Sequence, residues 1–295
     1  MDRLPRRSFH LSVLGSFALP MFRSREPGNS HRPSLTGPLE QASSPEGAAG
    51  ANPPMDIDAA ISQLVIANRI VGHLGIVDSF GHVSVRNPRN PQHYFMSRSR
   101  APDLVTRDDI LEFNLDSTPV DLRGTRPYSE RPIHGCIYQA RPDVMAICHN
   151  HAHELLPLTL TKTPMRPVIH TAAVIGHEVP VWDIRDEFGD TTMLVTTNDM
   201  GHSLARTLGK GAASLMRGHG SVVAGSTLPW IVFTAYYLHL NADVMVKARA
   251  MGGEITYLSP GEIDRAAEYH TRPAALQRPW EEWAVQAGFP ELLSK

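Results

Sequence analysis

The segment CHNHAHE, residues 148–154, places three histidines at alternate positions directly after the apolar run VMAI. Residues two apart in a β-strand point to the same face, so His149 and His151 would lie one pleat apart. Two imidazoles at this spacing can bind one metal ion, but structural histidine pairs also have this spacing. The chain should leave the strand by Glu154, so we expect His153 to lie outside the site.

A third ligand is expected from RGHGSVVAG, where His219 stands between two glycines. Glycine lets a strand end bend and approach its neighbours closely, which would bring this imidazole toward the pair. Glu130 offers a carboxylate ahead of a predicted helix that leads into the CHNH strand. Three imidazoles with an open or carboxylate-occupied position suit one catalytic divalent ion, zinc, manganese or iron(II). The sequence therefore predicts a metal site of His149, His151, His219 and Glu130.

Composition and charge narrow the class of protein. The chain of 295 residues has 42% hydrophobic residues and a formal net charge of -2. This balance gives no reason to expect nucleic acid or an anionic membrane surface as partner, and no apolar run predicts a membrane span. Cys136 and Cys148 stand in apolar segments, so we expect two core thiols rather than a disulfide framework.

The first 53 residues differ from the rest of the chain. A basic start with Arg6 and Arg7, then Ser-Phe and a short apolar run, resembles a twin-arginine export signal. The Pro-, Ser- and Gly-rich stretch after it is expected to be a disordered linker. Residues 54–295 would then be the folded domain. The expected location is periplasmic if the signal is real and cytoplasmic otherwise.

Helical and strand patterns alternate through residues 54–295, with no internal repeat. Apolar spacing of helical period predicts helices at 57–76, 131–143, 153–161, 202–211 and 228–253. Alternating or continuous apolar runs predict strands at 80–88, 93–97, 108–116, 144–151 and 172–182, and a strand pair at 214–225. This alternation predicts one α/β domain with helices flanking a mixed sheet.

The stretch YSERPIHGCIYQARPDVMAICHNHAHE, followed by LMRGHGSVVAG, resembles the class II aldolase/adducin family, and the resemblance covers about residues 55–260. It implies a three-layer α/β/α fold around a mostly antiparallel sheet, usually a homotetramer with active sites at subunit interfaces. It also implies that His149, His151 and His219 bind the metal. Glu130 would be the acid/base residue and would approach the metal as well.

Three short loops depart from the pattern with which sugar-phosphate aldolases of this family hold phosphate. His82 replaces an asparagine in the loop GHVS, the loop MSRSRAP has an arginine in place of a glycine, and a tyrosine precedes the serine of the third loop. Arginine forks suit planar carboxylates, so we expect a small carboxylic acid as substrate. His134, four positions after Glu130, is expected to orient a partner. The predicted substrate-binding set is Arg98, Arg100, Ser84, Ser129 and His134.

These departures resemble a branch of the family that decarboxylates aromatic-catabolite acids of the dihydroxyphthalate and carboxymuconate-semialdehyde types. Retro-aldol cleavage and decarboxylation beside a carbonyl both leave an electron pair that must be held as an enolate. A divalent ion is an electron sink for either reaction. The vacated carbon then needs a proton, which Glu130 or His82 could deliver. The expected activity is that of a metal-dependent carbon–carbon lyase, a decarboxylase of a small oxygenated carboxylic acid.

Three alternatives stay open at this stage. One is a class II aldolase acting on a non-phosphorylated hydroxy or keto acid. Another is a non-heme iron oxygenase, because three histidines with open positions also suit iron and dioxygen. The third is a non-catalytic adducin-like module, which is disfavoured because adducin-type domains lack the metal histidines.

Overall fold

The computed structural model describes residues 56–291. The predicted export signal and linker at 1–53 lie outside this range. No helix between residues 56 and 291 combines the length and apolar character needed to cross a bilayer.

A seven-stranded sheet forms the centre of the domain, with the order β3-β2-β1-β4-β7-β6-β5. Every neighbouring pair is antiparallel except β5 and β6, which are parallel. The expected mostly antiparallel sheet is therefore confirmed. The strands are β1 His82–Arg86, β2 His93–Ser97, β3 Ile110–Asn114, β4 Ala146–Asn150, β5 Val181–Trp182, β6 Ala213–Met216 and β7 Gly220–Gly225.

Within residues 56–291, eight α-helices connect and cover the strands. They are α1 Ile57–His73, α2 Pro132–Ala140, α3 Leu156–Thr159, α4 Arg185–Phe188, α5 Asn198–Leu208, α6 Leu228–Ala250, α7 Pro260–His270 and α8 Pro273–Gln286. Four 3-10 helices complete the described chain at Pro102–Leu104, Arg107–Asp109, His153–Leu155 and His170–Ile175. Asp56 caps α1 by accepting from the amide of Ile57, and N-cap contacts are typically worth about 1 kcal/mol.

The two faces of the sheet pack against different helices. On one face Ile147 packs in a cluster with Leu204 of α5 and apolar residues of α2. On the opposite face Val83 and Val223 pack in a cluster with apolar residues of α1, α6 and α8, including Trp283. Alternation along each strand separates the two clusters, because neighbouring residues point to opposite faces. The three-layer α/β/α architecture expected from the sequence is confirmed.

The two cysteines are core thiols, as expected. Cys136 on α2 and Cys148 on β4 are free and fully buried. Burial raises the pKa of each thiol to about 12, so neither is a thiolate at neutral pH.

The strand predicted at 172–182 is largely wrong. Residues His170–Ile175 form a 3-10 helix, and only Val181–Trp182 pair with the sheet. Ala172, Val174 and Ile175 are buried in the same cluster as α6, so their apolar run reflects contact with helices rather than a pleated face. The helix predicted at 153–161 is reduced to a 3-10 turn and one short α-helix. Helices α7 and α8 are not predicted.

Candidate metal centre

Three separate parts of the chain bring the predicted ligands together. His149 lies on β4 and His151 directly after it, while His219 lies in the turn between β6 and β7. Glu130 lies two residues before Pro132, which begins α2. One nitrogen from each imidazole and one carboxylate oxygen all lie within 4.8 Å of one another. The residues are thus placed to bind one ion.

The three Nε2 atoms converge on one point. His151 Nε2 lies 3.0 Å from His149 Nε2 and 3.1 Å from His219 Nε2. Glu130 Oε2 lies 3.7 Å from His149 Nε2 and 3.6 Å from His219 Nε2. Such spacings suit ligands that share a single first-row metal ion, whose bonds to nitrogen are about 2.0–2.1 Å long.

The outer partners of two imidazoles fix which nitrogen carries hydrogen. His149 Nδ1 lies 3.0 Å from the carbonyl oxygen of Ser221, and His151 Nδ1 lies 3.1 Å from the carboxylate of Asp78. Both partners only accept, so each Nδ1 donates and each neutral Nε2 presents a lone pair. Two lone pairs facing each other at 3.0 Å repel unless a cation lies between them. The donor set therefore fits a divalent metal.

Glu130 is held by the backbone and faces the imidazoles. Its Oε1 accepts from the amide of Val195 at 2.8 Å, and the residue is 5% exposed. Burial alone would raise the pKa of this carboxyl group. The nearby imidazoles of His219 and His149 outweigh burial and lower the pKa to about 2. The carboxylate is therefore ionised at neutral pH.

The turn that carries His219 requires glycine on both sides. Gly218 has φ of 61°, in the left-handed region that favours glycine. A Cβ on Gly220 would lie 2.0 Å from the carbonyl oxygen of Asn150 at the end of β4. The close approach of β7 to β4 therefore depends on glycine, as the sequence suggests, and it brings the His219 imidazole to the β4 ligands.

His82 lies beside the metal ligands but belongs to a different hydrogen-bond network. It is the direct cross-strand partner of His149, and its Nδ1 lies 2.7 Å from His134 Nε2. Ser84 and His134 are fully buried and do not line the cavity. The geometry gives no direct support to a substrate contact for these two residues.

A cavity of about 780 Å³ opens in front of the ligands. Its polar lining includes His82, Arg100 and Ser129, together with Glu130, His151 and His219 of the metal site. Phe80 and Leu194 add apolar surface and are 69% and 39% exposed. The cavity thus combines an apolar wall with a small number of polar groups at one end, as ligand sites commonly do.

The two arginines predicted to bind substrate differ in position. Both contact Asp109: Arg98 Nε donates to Oδ1 at 2.6 Å, and Arg100 Nε lies 3.3 Å from Oδ2. Arg100 lines the cavity, whereas Arg98 does not. The Nη atoms of Arg100 make no hydrogen bond within residues 56–291, so they are available to a ligand.

Sequence reasoning missed the groups that support the ligands. The Asp78 carboxylate accepts a hydrogen bond from His151 Nδ1, and it also accepts from the backbone amides of Phe80 and Gly81. The pattern Asp-x-x-Gly indicates such a turn, but the contact with a histidine 73 positions away has no local signal. Val195 contributes only a backbone amide, which no side-chain pattern reveals.

Comparison with known proteins agrees with this fold. The chain matches the class II aldolase and adducin N-terminal domain over residues 62–246 and belongs to that family. It is 32% identical over 231 residues to the decarboxylase tropJ of Talaromyces stipitatus, covering 70% of this chain and 86% of the relative.

It is also 24% identical over 241 residues to the 3,4-dihydroxyphthalate decarboxylase of Arthrobacter keyseri, covering 75% of this chain and 93% of the relative. The solved L-fuculose 1-phosphate aldolase from Glaciozyma antarctica superposes with a TM-score of 0.65 at 22% identity, covering 80% of this chain and 93% of that one. At this identity the likeness shows the fold alone. The resemblance stated from the sequence is confirmed, and the two curated relatives described above are decarboxylases.

Proposed function

We propose that the protein is a metal-dependent carbon–carbon lyase, a decarboxylase of a small oxygenated carboxylic acid of aromatic or muconate type. The observation that carries the proposal is the convergence of His149, His151, His219 and Glu130 at the wall of a cavity that also presents Arg100. The decarboxylase relative at 32% identity, matched over 86% of its own length, supports this type of reaction over aldol cleavage.

The cavity offers complementary groups for a planar acid. Arg100 presents unpaired Nη atoms, and a guanidinium fork binds a carboxylate through two parallel hydrogen bonds. Phe80 and Leu194 supply apolar surface against which an aromatic or conjugated skeleton can lie. Ser129 is exposed on the same wall and can bond a further oxygen of the substrate.

In the proposed reaction the bond between the carboxyl carbon and its neighbour breaks, and the electron pair remains on the substrate carbon while carbon dioxide leaves. A divalent ion held by the three imidazoles and Glu130 would supply the electron sink. Arg100 would bind and orient the acid, and the apolar wall would exclude water from the reacting carbon. The vacated carbon then takes a proton that comes from water or from a hydroxyl group of the substrate, because Glu130 is ionised at neutral pH and must itself be protonated before it can deliver one.

Glu130 and His82 are the candidate proton-handling groups beside the reacting carbon. Glu130 Oε1 is fixed by Val195, which leaves Oε2 directed at the ligand cluster. His82 lines the cavity and is oriented from behind by His134. We therefore assign His134 and Ser84 a role in positioning His82, in place of a direct contact with substrate.

One assay separates the proposal from its alternatives. The purified protein is stripped of metal and reloaded separately with Zn²⁺, Mn²⁺ or Fe²⁺. It is then tested on hydroxylated aromatic acids, non-phosphorylated hydroxy and keto acids, and fuculose 1-phosphate, with and without oxygen. The proposal expects metal-dependent, oxygen-independent release of carbon dioxide from the aromatic acids. Aldehyde release without carbon dioxide would indicate an aldolase, strict oxygen dependence an oxygenase, and no turnover with any metal a non-catalytic module.

Two further expectations remain predictions. The family resemblance predicts a homotetramer, which light scattering of the purified protein tests by mass. The twin-arginine resemblance predicts export, which fractionation of cells that express the full chain tests against a variant with both Arg6 and Arg7 replaced by lysine.

A further inference from the structure

Four buried side chains form a continuous hydrogen-bonded chain from the cavity wall into the core. His82 Nδ1 lies 2.7 Å from His134 Nε2, and His134 Nδ1 lies 2.6 Å from Ser84 Oγ. Ser84 Oγ in turn lies 2.8 Å from the hydroxyl of Tyr138. Each of the four residues is at most 1% exposed. Three of them do not line the cavity, so they can orient a group toward a ligand in the cavity only through His82.

The hydroxyl of Tyr138 sets the direction of this chain. Within residues 56–291 its only hydrogen-bond partner is Ser84. If Ser84 donated to it, the phenolic hydrogen would be buried without an acceptor, which is unfavourable. Tyr138 therefore donates, and Ser84 accepts. Ser84 has one hydrogen of its own, which it must give to its other partner, His134 Nδ1.

The direction propagates through both imidazoles. Because His134 Nδ1 accepts from Ser84, His134 carries its hydrogen on Nε2 and donates it to His82 Nδ1. A hydrogen on His82 Nδ1 would then face the N–H of His134, so it is excluded. The hydrogen of neutral His82 must lie on Nε2. This nitrogen makes no hydrogen bond within the described chain and is not fully enclosed, and the residue lines the cavity.

We infer that the Tyr138–Ser84–His134 chain fixes His82 as a hydrogen-bond donor to the cavity, with Nε2–H directed at the ligand. The inference rests on the proposed function for its ligand class: a substrate with an acceptor oxygen, such as a carboxylate, carbonyl or phenolate, at the position next to the metal ligands. A donor placed at the site of developing negative charge stabilises that charge. His82 in this tautomer gives a hydrogen bond and does not act as a base.

Solid-state ¹⁵N NMR tests the tautomer of His82 without an activity assay. The metal-free protein is prepared with histidine labelled with ¹⁵N only at Nδ1 or only at Nε2, and solid-state spectra distinguish protonated from unprotonated ring nitrogens. The signal that disappears in His82→Gln belongs to His82. We expect it to be protonated at Nε2 and unprotonated at Nδ1. A hydrogen on His82 Nδ1 in the wild-type protein would overturn the inference.

Two matched variants test whether the hydrogen bonds through Tyr138, Ser84 and His134 set the tautomer of His82. Ser84→Ala removes the donor to His134 Nδ1, and we expect a second His82 population with the hydrogen on Nδ1. Tyr94→Phe removes another buried hydroxyl in the same aromatic cluster, 5.4 Å from Tyr138 between ring centroids, and should leave the His82 signals unchanged. An unchanged His82 spectrum in Ser84→Ala, or the same change in Tyr94→Phe, would refute the positioning role.

A comparison of two replacements then links the tautomer to the reaction. His82→Gln keeps an N–H donor near the position of Nε2, whereas His82→Leu removes it. If His82 donates to the substrate, the leucine variant should lose about 10²–10³-fold in kcat, the range for a lost oxyanion donor, and the glutamine variant clearly less. Equal loss in the two variants would refute the donor role. If no acid is decarboxylated at all, the proposed function fails while the spectra still decide the tautomer.

Discussion

His82 and His149 lie directly opposite each other in the antiparallel pair β1–β4, with ring centroids 5.0 Å apart. His82 faces the cavity, and His149 is a predicted metal ligand. Because the two residues are paired across neighbouring strands, the strand pairing itself fixes the distance between them. Because cross-strand partners share a face, one strand pairing places both imidazoles under α2. Side-chain substitutions at this pair should therefore change the site with little effect on the backbone around it.

Removal of any one of the three imidazoles should release the metal. We expect His149→Ala, His151→Ala and His219→Ala each to lose bound metal and turnover, because two nitrogens and one carboxylate bind a divalent ion much less tightly. Elemental analysis after dialysis measures the metal, and circular dichroism checks the fold. His177→Ala is the control, since His177 pairs with Asp264 on the surface. Stoichiometric metal and full activity in one of the three variants would exclude that residue from the site.

Glu130→Gln should separate metal binding from proton transfer. The amide oxygen of glutamine can still accept from Val195, so the side chain should keep its position. We expect the metal to stay bound and kcat to fall by about 10²–10⁴, the usual loss for a general acid or base. Metal content and single-turnover rates measure the two effects, with Glu112→Gln outside the cavity as control. If metal is lost while the rate per bound metal is unchanged, Glu130 serves only as a ligand.

Arg100→Lys should raise KM for a carboxylate substrate, although the charge is kept. Lysine cannot reproduce the two parallel hydrogen bonds of a guanidinium. Arg100→Gln should cost more, about 1.5–3 kcal/mol for a lost hydrogen bond to a charged group. Arg98→Lys is the matched comparison, because Arg98 pairs with the same Asp109 but does not line the cavity. Steady-state kinetics should show the larger effect at position 100. Equal effects at the two positions would point to the shared aspartate instead.

The metal-free protein should lose stability as the pH falls below neutrality. Burial lowers the pKa of His82, His134 and His149, that of His134 to about 3. The unfolded chain therefore takes up protons near pH 6.5 that the folded chain does not, which favours unfolding in acid. Each such histidine contributes up to about 1.4 kcal/mol per pH unit below about pH 6.

Urea unfolding of the metal-free protein between pH 7.5 and 5.5 measures this dependence. The free energy of unfolding should fall as pH falls, and the slope should be smaller in His134→Gln, which lacks one of the three groups. A free energy that stays constant or rises toward pH 5.5 would contradict the prediction.

Gly220→Ala should disturb the metal site by displacing the backbone of β7. A Cβ there would meet the Asn150 carbonyl at 2.0 Å, so β7 must move away from β4 and carry His219 with it. We expect a loss of about 1–3 kcal/mol in the free energy of unfolding, as for other overpacked sites, together with weaker metal binding. Gly253→Ala is the control, because nothing lies within 4 Å of its Cβ position. Thermal melts and metal titration should leave the control at wild-type values and shift only Gly220→Ala.

The parts of the site that the sequence predicts are those with a short-range pattern. Histidines two apart on a strand, and a histidine between glycines at a strand end, carry their geometry in their spacing. The contact of Asp78 with His151 joins segments 73 positions apart, and the amide of Val195 has no side chain to mark it. For Arg98 and Arg100, sequence alone did not separate the one that lines the cavity from the one that does not.

The helices and strands that the sequence predicts are likewise those with a short-range pattern. Helix α1 follows from its apolar period, because it buries one regular stripe. Helix α6 follows from its length, and strands β1, β2 and β4, which are buried on both faces, follow from short runs that end at turns. Residues 172–182 were misassigned because an apolar run that packs against helices has no period to distinguish it from a buried strand.

Strand β4 carries the core thiol Cys148 on one face and the imidazole of His149 on the other. A single inserted or deleted residue within Ala146–Asn150 would exchange the two faces, burying the imidazole among the α1 and α6 side chains and placing a thiol on the face of the metal ligands. Length changes in this region of the gene would therefore abolish the core and the metal centre together. Insertions that leave both intact are confined to the connecting loops, where an added residue does not change the register of the sheet.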